Sequence, residues 1–182
     1  LIESLSTTSA GGVDNITANG GNDIILGGRH GDTINAGDGS NLVIGDSGRI
    51  TAANTGVAQF ADVPMTFGLI ETIAFGDGGS DSITTGTGND IVLGGDLDDA
   101  IIVSGGNNIV LGDDGQIDYV RVERGATTGV QGADTDAADI DLIESLSTTS
   151  AGGVDNITAN GGNDIILGGR HGDTINAGDG SN

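Results

Sequence analysis

Asp14, Asp23 and Asp32 stand nine residues apart, Asn41 takes the next place, and an apolar residue follows each two positions later: Ile16, Ile25, Ile34 and Val43. The ladder runs again as Asp81, Asp90, Asp99 and Asn108, followed by Ile83, Val92, Ile101 and Val110. There is no Cys, and His30 and His171 are the only imidazoles. Carboxylates in regular file, with no thiolate and almost no base among them, suit hard cations rather than nucleophilic or acid–base chemistry. A catalytic pair needs one unique cleft, whereas pairs that recur in every block fit recurring metal sites. His30, beside Arg29 in a turn-forming phrase, reads as a surface residue. The chain is therefore expected not to be an enzyme.

The overall charge points the same way. Twenty-seven acidic residues face five basic ones, all Arg, for a formal charge of −22. A folded chain with that charge repels itself unless something neutralises it. Nucleic acid is excluded as a partner because phosphate contact needs basic patches. Membrane insertion is excluded because no apolar run approaches the ~18 residues a span requires. Without Cys there is no disulfide to stabilise the fold.

The repetition has two levels. Residues 1–41 are identical to residues 142–182, a period of 141. Within that period the two ladders are offset by 67, and each is followed by a similar phrase, GDSGRI at 45–50 and GDDGQI at 112–117. A third block opens with Asp155, Asp164 and Asp173. Such self-similarity marks an array, and the chain reads as a segment of something longer. The expected division is a first block at 1–50, a connector at 51–75, a second block at 76–117, a connector at 118–148 and the start of a third block at 149–182.

GGNDIILGG, GTGNDIVLGG and GGNNIVLGD resemble the glycine-rich nonapeptide G-G-x-G-x-D-x-U-x of the RTX (haemolysin-type) calcium-binding repeats. The resemblance covers four nonapeptides in each complete block and three to four in the third. It implies an all-β chain: parallel β-roll, or β-solenoid, blocks joined by additional strands and loops. Six Gly- and Asp-rich residues make a turn, helped by the positive φ that glycine allows, and x-U-x makes a very short strand with U inward. Nonapeptide one then stacks on three and two on four, setting Ile16 over Ile34 and Ile25 over Val43.

The resemblance also implies Ca2+ between stacked turns, several ions per 141-residue period. The carried-over carboxylates are Asp14, Asp23, Asp32, Asp81, Asp90, Asp99, Asp155, Asp164 and Asp173, with turn carbonyls from glycines such as Gly12, Gly21, Gly79 and Gly88. Asn41 and Asn108 depart from the pattern. They keep an oxygen but lose the charge, so their turns bind more weakly or cap the roll. His30 and Leu97 stand where the third nonapeptide should have Gly, which puts that turn's geometry in question. Asp46 and Asp113, just past each ladder, are candidates for extra carboxylates. The plain alternative is a metal-free solenoid in which Asp and Asn only make turn hydrogen bonds.

Between the ladders, LIETIAF (69–75) and LIESLST (142–148) match, GQIDYVRVER (115–124) alternates as a strand should, and GRITA (48–52) does so more weakly. These are expected to leave one roll and enter the next, with edges open to lateral pairing. Residues 54–65, with the single proline Pro64, and 125–139 are expected as surface loops. The function expected is a calcium-binding structural repeat of a long secreted or cell-surface protein: an adhesin stalk, surface-layer component or filament. Neighbouring copies of the repeat are its partners, through lateral self-association among other contacts. The alternative is the C-terminal secretion and folding module of an RTX toxin or secreted enzyme. The family's route out of the cell is type I secretion of the unfolded chain, with folding on Ca2+ outside.

Overall fold

A computed structural model describes residues 1–5, 11–54, 56, 59, 65–125, 132–147 and 152–182. Pro64 and most of the first expected loop (54–65) lie outside these, as do residues 126–131 of the second. The described residues form sixteen strands: β1 (Ile2–Glu3), β2 (Asn15–Thr17), β3 (Ile24–Leu26), β4 (Thr33–Gly37), β5 (Leu42–Ile44), β6 (Gly48–Ala52), β7 (Phe67–Thr72), β8 (Ser82–Thr85), β9 (Ile91–Gly95), β10 (Ala100–Gly105), β11 (Ile109–Asp113), β12 (Gly115–Asp118), β13 (Leu142–Ser145), β14 (Asn156–Gly161), β15 (Ile165–Leu167) and β16 (Thr174–Asn176). No helix is found among the described residues.

The nonapeptide strands fall into two parallel sheets. Odd nonapeptides make the order β16-β14-β10-β8-β4-β2, and even ones make β15-β11-β9-β5-β3. Ile16 pairs with Ile34, and Ile25 with Val43, as the nine-residue phase requires. The U residues Ile34, Val43, Ile83, Val92, Ile101 and Val110 meet between the two sheets and are buried.

The ladders do not form separate rolls. β4 pairs with β8 and β5 with β9, so the second block stacks directly on the first. β10 and β11 then pair with β14 and β15 of the third. The segments between ladders leave the roll, make strands and re-enter the same roll. Their strands form a third sheet, antiparallel, in the order β1-β6-β7-β12-β13. Both hydrogen-bonding edges of β6, β7 and β12 are used inside this sheet. Among the described residues the outer edges of this sheet are those of β1 and β13.

This third sheet explains a difference between the two kinds of nonapeptide. In the odd strands the residues flanking U are mostly polar and face out, as in Asn15–Thr17 (NIT) and Thr174–Asn176 (TIN). In the even strands they are apolar: IIL, LVI, IVL. Leu42, Ile44, Ile91, Leu93 and Leu111 pack outward against Ile50, Phe67, Ile70 and Ile117 of the antiparallel sheet. The even sheet is covered on both faces, and a strand so placed reads as a continuous apolar run.

On the opposite face of the antiparallel sheet, Glu3, Arg49, Glu71, Gln116 and Glu144 share one register. Arg49 lies 2.7 Å from Glu71 and 3.8 Å from Glu3, and Gln116 Nε2 donates to Glu144 Oε2 at 2.8 Å. Acids thus alternate with a cation or an amide rather than facing each other. GQIDYVRVER is strand only as far as Asp118. There the buried carboxylate accepts the Val120 N–H at 3.0 Å and pairs with Arg124, turning the chain while Tyr119 and Val120 enter the core.

Burial rather than side-chain type sets the energetic weight of the flanking positions. Leu93 is fully buried, whereas Ile102, flanking U on the odd sheet, is 45% exposed. Leu93→Ala is expected to cost about 2–5 kcal/mol, and Ile102→Thr about 0.5 kcal/mol or less. Urea unfolding in saturating calcium measures both. Equal costs would mean that the third sheet does not cover the even strands.

Candidate metal centres

The roll has two turn edges, and the ladder residues line one column on each. The first column holds Asp14, Asp32, Asp81, Asp99 and Asp155, then Asp173. Each backbone N–H donates to Oδ1 of the next residue: Asp14 to Asp32 at 2.7 Å, Asp32 to Asp81 at 2.6 Å, Asp81 to Asp99 at 2.7 Å, Asp99 to Asp155 at 2.8 Å and Asp155 to Asp173 at 3.0 Å. The second column runs Asp23, Asn41, Asp90, Asn108, Asp164 and Asn182, linked in the same way at 2.8–3.1 Å.

One carboxylate oxygen is spent on this ladder, and the other is left bare. Oδ2 of Asp23, Asp32, Asp81, Asp90, Asp99, Asp155 and Asp164 is buried with no hydrogen-bond partner. A buried acceptor in that state costs about 1–3 kcal/mol, more when charged. Seven repeats of one orphaned oxygen are too regular to be packing faults. They fit a cation on the Oδ2 side of each Asp.

Carbonyls stand beside these oxygens. A Cβ added at Gly45 would collide with Asp81 Oδ2 and Gly94 O; at Gly94, with Asp99 Oδ2 and Gly112 O; at Gly112, with Asp155 Oδ2 and Gly168 O. Each of these glycines directly follows the x-U-x of an even strand, so a carboxylate and a carbonyl close on space that only hydrogen leaves free. Reading from the sequence missed Gly45, Gly94, Gly112 and Gly168 as neighbours of the site. The available signal was the Gly that follows every even x-U-x. Among the described residues no three carboxylates or imidazoles converge on one point. Carbonyls must therefore complete any site, as Ca2+ with six to eight oxygens allows.

The glycines singled out from the sequence are placed unequally. Gly21 and Gly88 lie in the second column, where their carbonyls abut the α-carbons of Gly39 and Gly106. Gly12 and Gly79 lie in the first column. Gly79 packs against the backbone of His30, while around Gly12 there is open space. His30 and Leu97 do not shift the turn. They adopt φ of 75° and 73°, the left-handed conformation a glycine would take there.

Asn41 and Asn108 behave differently from their Asp neighbours. Where Asp presents a bare oxygen, Asn41 Nδ2 donates to Gly37 O at 3.1 Å, Gly39 O at 3.0 Å and Asp90 Oδ1 at 3.1 Å. Asn108 Nδ2 donates to Gly106 O and Asp164 Oδ1. Asp46 and Asp113 sit outside both columns. Asp46 accepts the N–H groups of Gly79 and Asp96, and Asp113 those of Gly153 and Arg170. Both oxygens of each are engaged in tying successive turns together.

Burial pushes the carboxyl pKa values upward. Asp99 is pushed up to about 10, Asp46 to about 8, and Asp81 and Asp155 to about 7, with neighbouring carboxylates adding to the effect of burial. Asp32 and Asp90 are raised for the same leading reason.

A family model described as the RTX calcium-binding nonapeptide repeat (4 copies) matches residues 9–43, 73–101 and 149–182, more than half of the chain. No curated protein and no solved structure matches it. The match bears out the all-β parallel roll and the cation read from the sequence, since repeats of this kind bind Ca2+ and are structural rather than catalytic.

Two outcomes follow from the columns. A carboxyl whose acidity is weakened by folding stabilises the fold fully below its unfolded value of about 4 and loses that contribution as pH rises through its folded value. The calcium-stripped chain is therefore expected to gain β-structure on acidification from pH 9 to pH 5 by circular dichroism. Equal ellipticity at the two values would remove the buried-carboxylate account. Separately, Gly94→Ala is expected to raise the calcium needed for half-folding at least tenfold, because its methyl group meets both Asp99 Oδ2 and Gly112 O.

Proposed function

The chain belongs to the RTX calcium-binding nonapeptide repeat family, and we propose that it is a calcium-rigidified stretch of a long secreted or cell-surface protein, such as an adhesin stalk, a surface-layer component or a filament. One observation carries this reading. The third block stacks on the second in the register the second uses on the first: Ile101 pairs with Ile157 as Ile34 pairs with Ile83. Since 142–182 repeats 1–41, each 141-residue unit can add to the last without a break in any of the three sheets. At about 4.8 Å per coil, four coils extend the rod by roughly 19 Å per period.

In this reading the ions lie along the two turn columns. Asp14, Asp32, Asp81, Asp99, Asp155 and Asp173 supply carboxylates to the first, and Asp23, Asp90 and Asp164 to the second. Asn41 and Asn108 close their turns with amide hydrogen bonds, so the second column takes fewer ions. The unit is the 141-residue period, not the separate ladder. Export follows the family's type I route: where calcium is scarce the columns repel and the chain stays unfolded, and outside the cell calcium closes the roll.

Circular dichroism of the 182-residue chain, titrated from EGTA into millimolar Ca2+ with Mg2+ as control, tests the reading. A coil-to-β transition driven by Ca2+ and not by Mg2+ is expected. A chain folded equally well in EGTA at neutral pH would sink it.

A further inference from the structure

Ser47, Asp96 and Asp114 belong to neither turn column. Each stands three residues beyond Ile44, Leu93 and Leu111, which are paired in register on successive coils. The three residues therefore occupy one row, a coil apart, where the roll meets the antiparallel sheet. All are at least nine-tenths buried, with exposures of 2%, 6% and 2%. Ser47 Oγ, Asp96 Oδ1 and Asp114 Oδ2 are buried and have no hydrogen-bond partner.

We propose that this row is a second class of calcium site, formed by Asp96, Asp114 and the Ser47 hydroxyl and occurring once per 141-residue period.

Two buried carboxylates on adjacent coils need neutralising, and no basic side chain bonds Asp114 Oδ2 or Asp96 Oδ1. The donors are all hard oxygen, with no imidazole or thiol, which selects a calcium-like ion over a transition metal. Ca2+ accepts a hydroxyl and carbonyls beside two carboxylates, whereas Mg2+ demands a tighter octahedron and keeps its waters. Beside Asp114 the Thr72 hydroxyl accepts the Gly115 N–H at 3.0 Å and donates to Gly115 O at 3.4 Å, fixing the backbone that follows Asp114. Asp96 is held by its own N–H, which donates to Asp46 Oδ2 at 2.6 Å. Burial and the neighbouring charge of Asp96 both raise the Asp114 carboxyl.

The sequence marks the row as a departure from simple repetition. At the 67-residue offset, Asp96 replaces Arg29 and Asp114 replaces Ser47, although the surrounding phrases are closely alike. Along the rod the row reads Arg29, Ser47, Asp96, Asp114, Arg170, and Arg29 pairs with Asp77 at 3.2 Å. Acids are thus concentrated on two adjacent coils out of four. The turn ladders place Asp on every coil of one column and show no such grouping.

Native mass spectrometry of the full 182-residue chain in calcium counts the ions. The double variant Asp96→Asn, Asp114→Asn is expected to hold one ion fewer than the parent while keeping its β-ellipticity. An unchanged count, as would follow if the two carboxyls share a proton instead, would overturn the proposal. Should the double variant not fold, Ser47→Asp decides: a third carboxylate is expected to shift one binding step at least tenfold lower in calcium, and no shift would overturn it. Asp81→Asn, in the first turn column, serves as the separate control. A loss of an ion there with none lost on the row would leave the turn reading standing and this one refuted.

Discussion

Each interior coil of the roll buries a carboxylate, Asp32, Asp81, Asp99 and Asp155 in turn, stacked on that of the next coil. The backbone N–H of one Asp holds Oδ1 of the next, so the charges cannot swing apart without breaking the ladder that sets the turn. Two unit charges about 4.8 Å apart repel by roughly 3 kcal/mol at an effective dielectric of about 20. Burying one Ile contributes about 1.5–3 kcal/mol. Each coil adds one or two such residues to the core, so the repulsion is of the same size as the gain. The roll is consequently conditional on neutralisation. A proton can supply it, since burial raises the pKa of Asp81, Asp99 and Asp155, and so can a cation.

The two columns meet this constraint differently. The first keeps Asp on every coil, and all of its conditional character. The second alternates Asp with Asn, whose Nδ2 donates to the carbonyls of its own turn and to the Asp beyond. That alternation halves the charge along one edge and leaves every second turn self-sufficient. Asp46 and Asp113 add a third device. Each sits where the chain leaves the roll and clamps N–H groups on the next two turns, holding the exit and re-entry points together. Glycine is required opposite such contacts: Gly79 and Gly153 are pressed against the backbones of His30 and Leu97, the two non-glycine residues held at positive φ in neighbouring turns.

The nine-residue phase made the register of the roll legible before any coordinates. Ile16 over Ile34, Ile25 over Val43 and the Asp columns all follow from it, because a two-nonapeptide coil repeats every 18 residues. The continuity of the roll was not legible in the same way. Asp32 bonds to Asp81 across 49 residues, and Asp99 to Asp155 across 56, so the phase is interrupted and spacing alone cannot say whether the next ladder continues the roll or opens another. The missing information lay in the flanks of U. Polar flanks in NIT and TIN against apolar flanks in IIL and IVL already distinguished a sheet with one covered face from a sheet with two. The nonapeptide pattern assigns one inward U to each strand and gives the second apolar set of the even strands no place. GQIDYVRVER misled for a related reason: Tyr119 and Val120 are apolar because they enter the core after a turn, not because they continue a strand.

The excursions out of the roll cost less than their length suggests. Closing a 49-residue loop in place of an 18-residue one costs about 1 kcal/mol more in chain entropy, because the penalty grows only with the logarithm of length. In return each excursion buries large side chains, Ile50, Phe67 and Ile70 in the first and Ile117 in the second, against even strands that would otherwise expose their outer faces. The area gained outweighs the closure term. It also widens the rod from two sheets to three, so that 141 residues contribute only roughly 19 Å of length. A chain selected for reach alone would drop the third sheet and run its nonapeptides without interruption. Retaining it trades length for cross-section. Resistance to bending rises steeply with thickness, which supports the structural role proposed above.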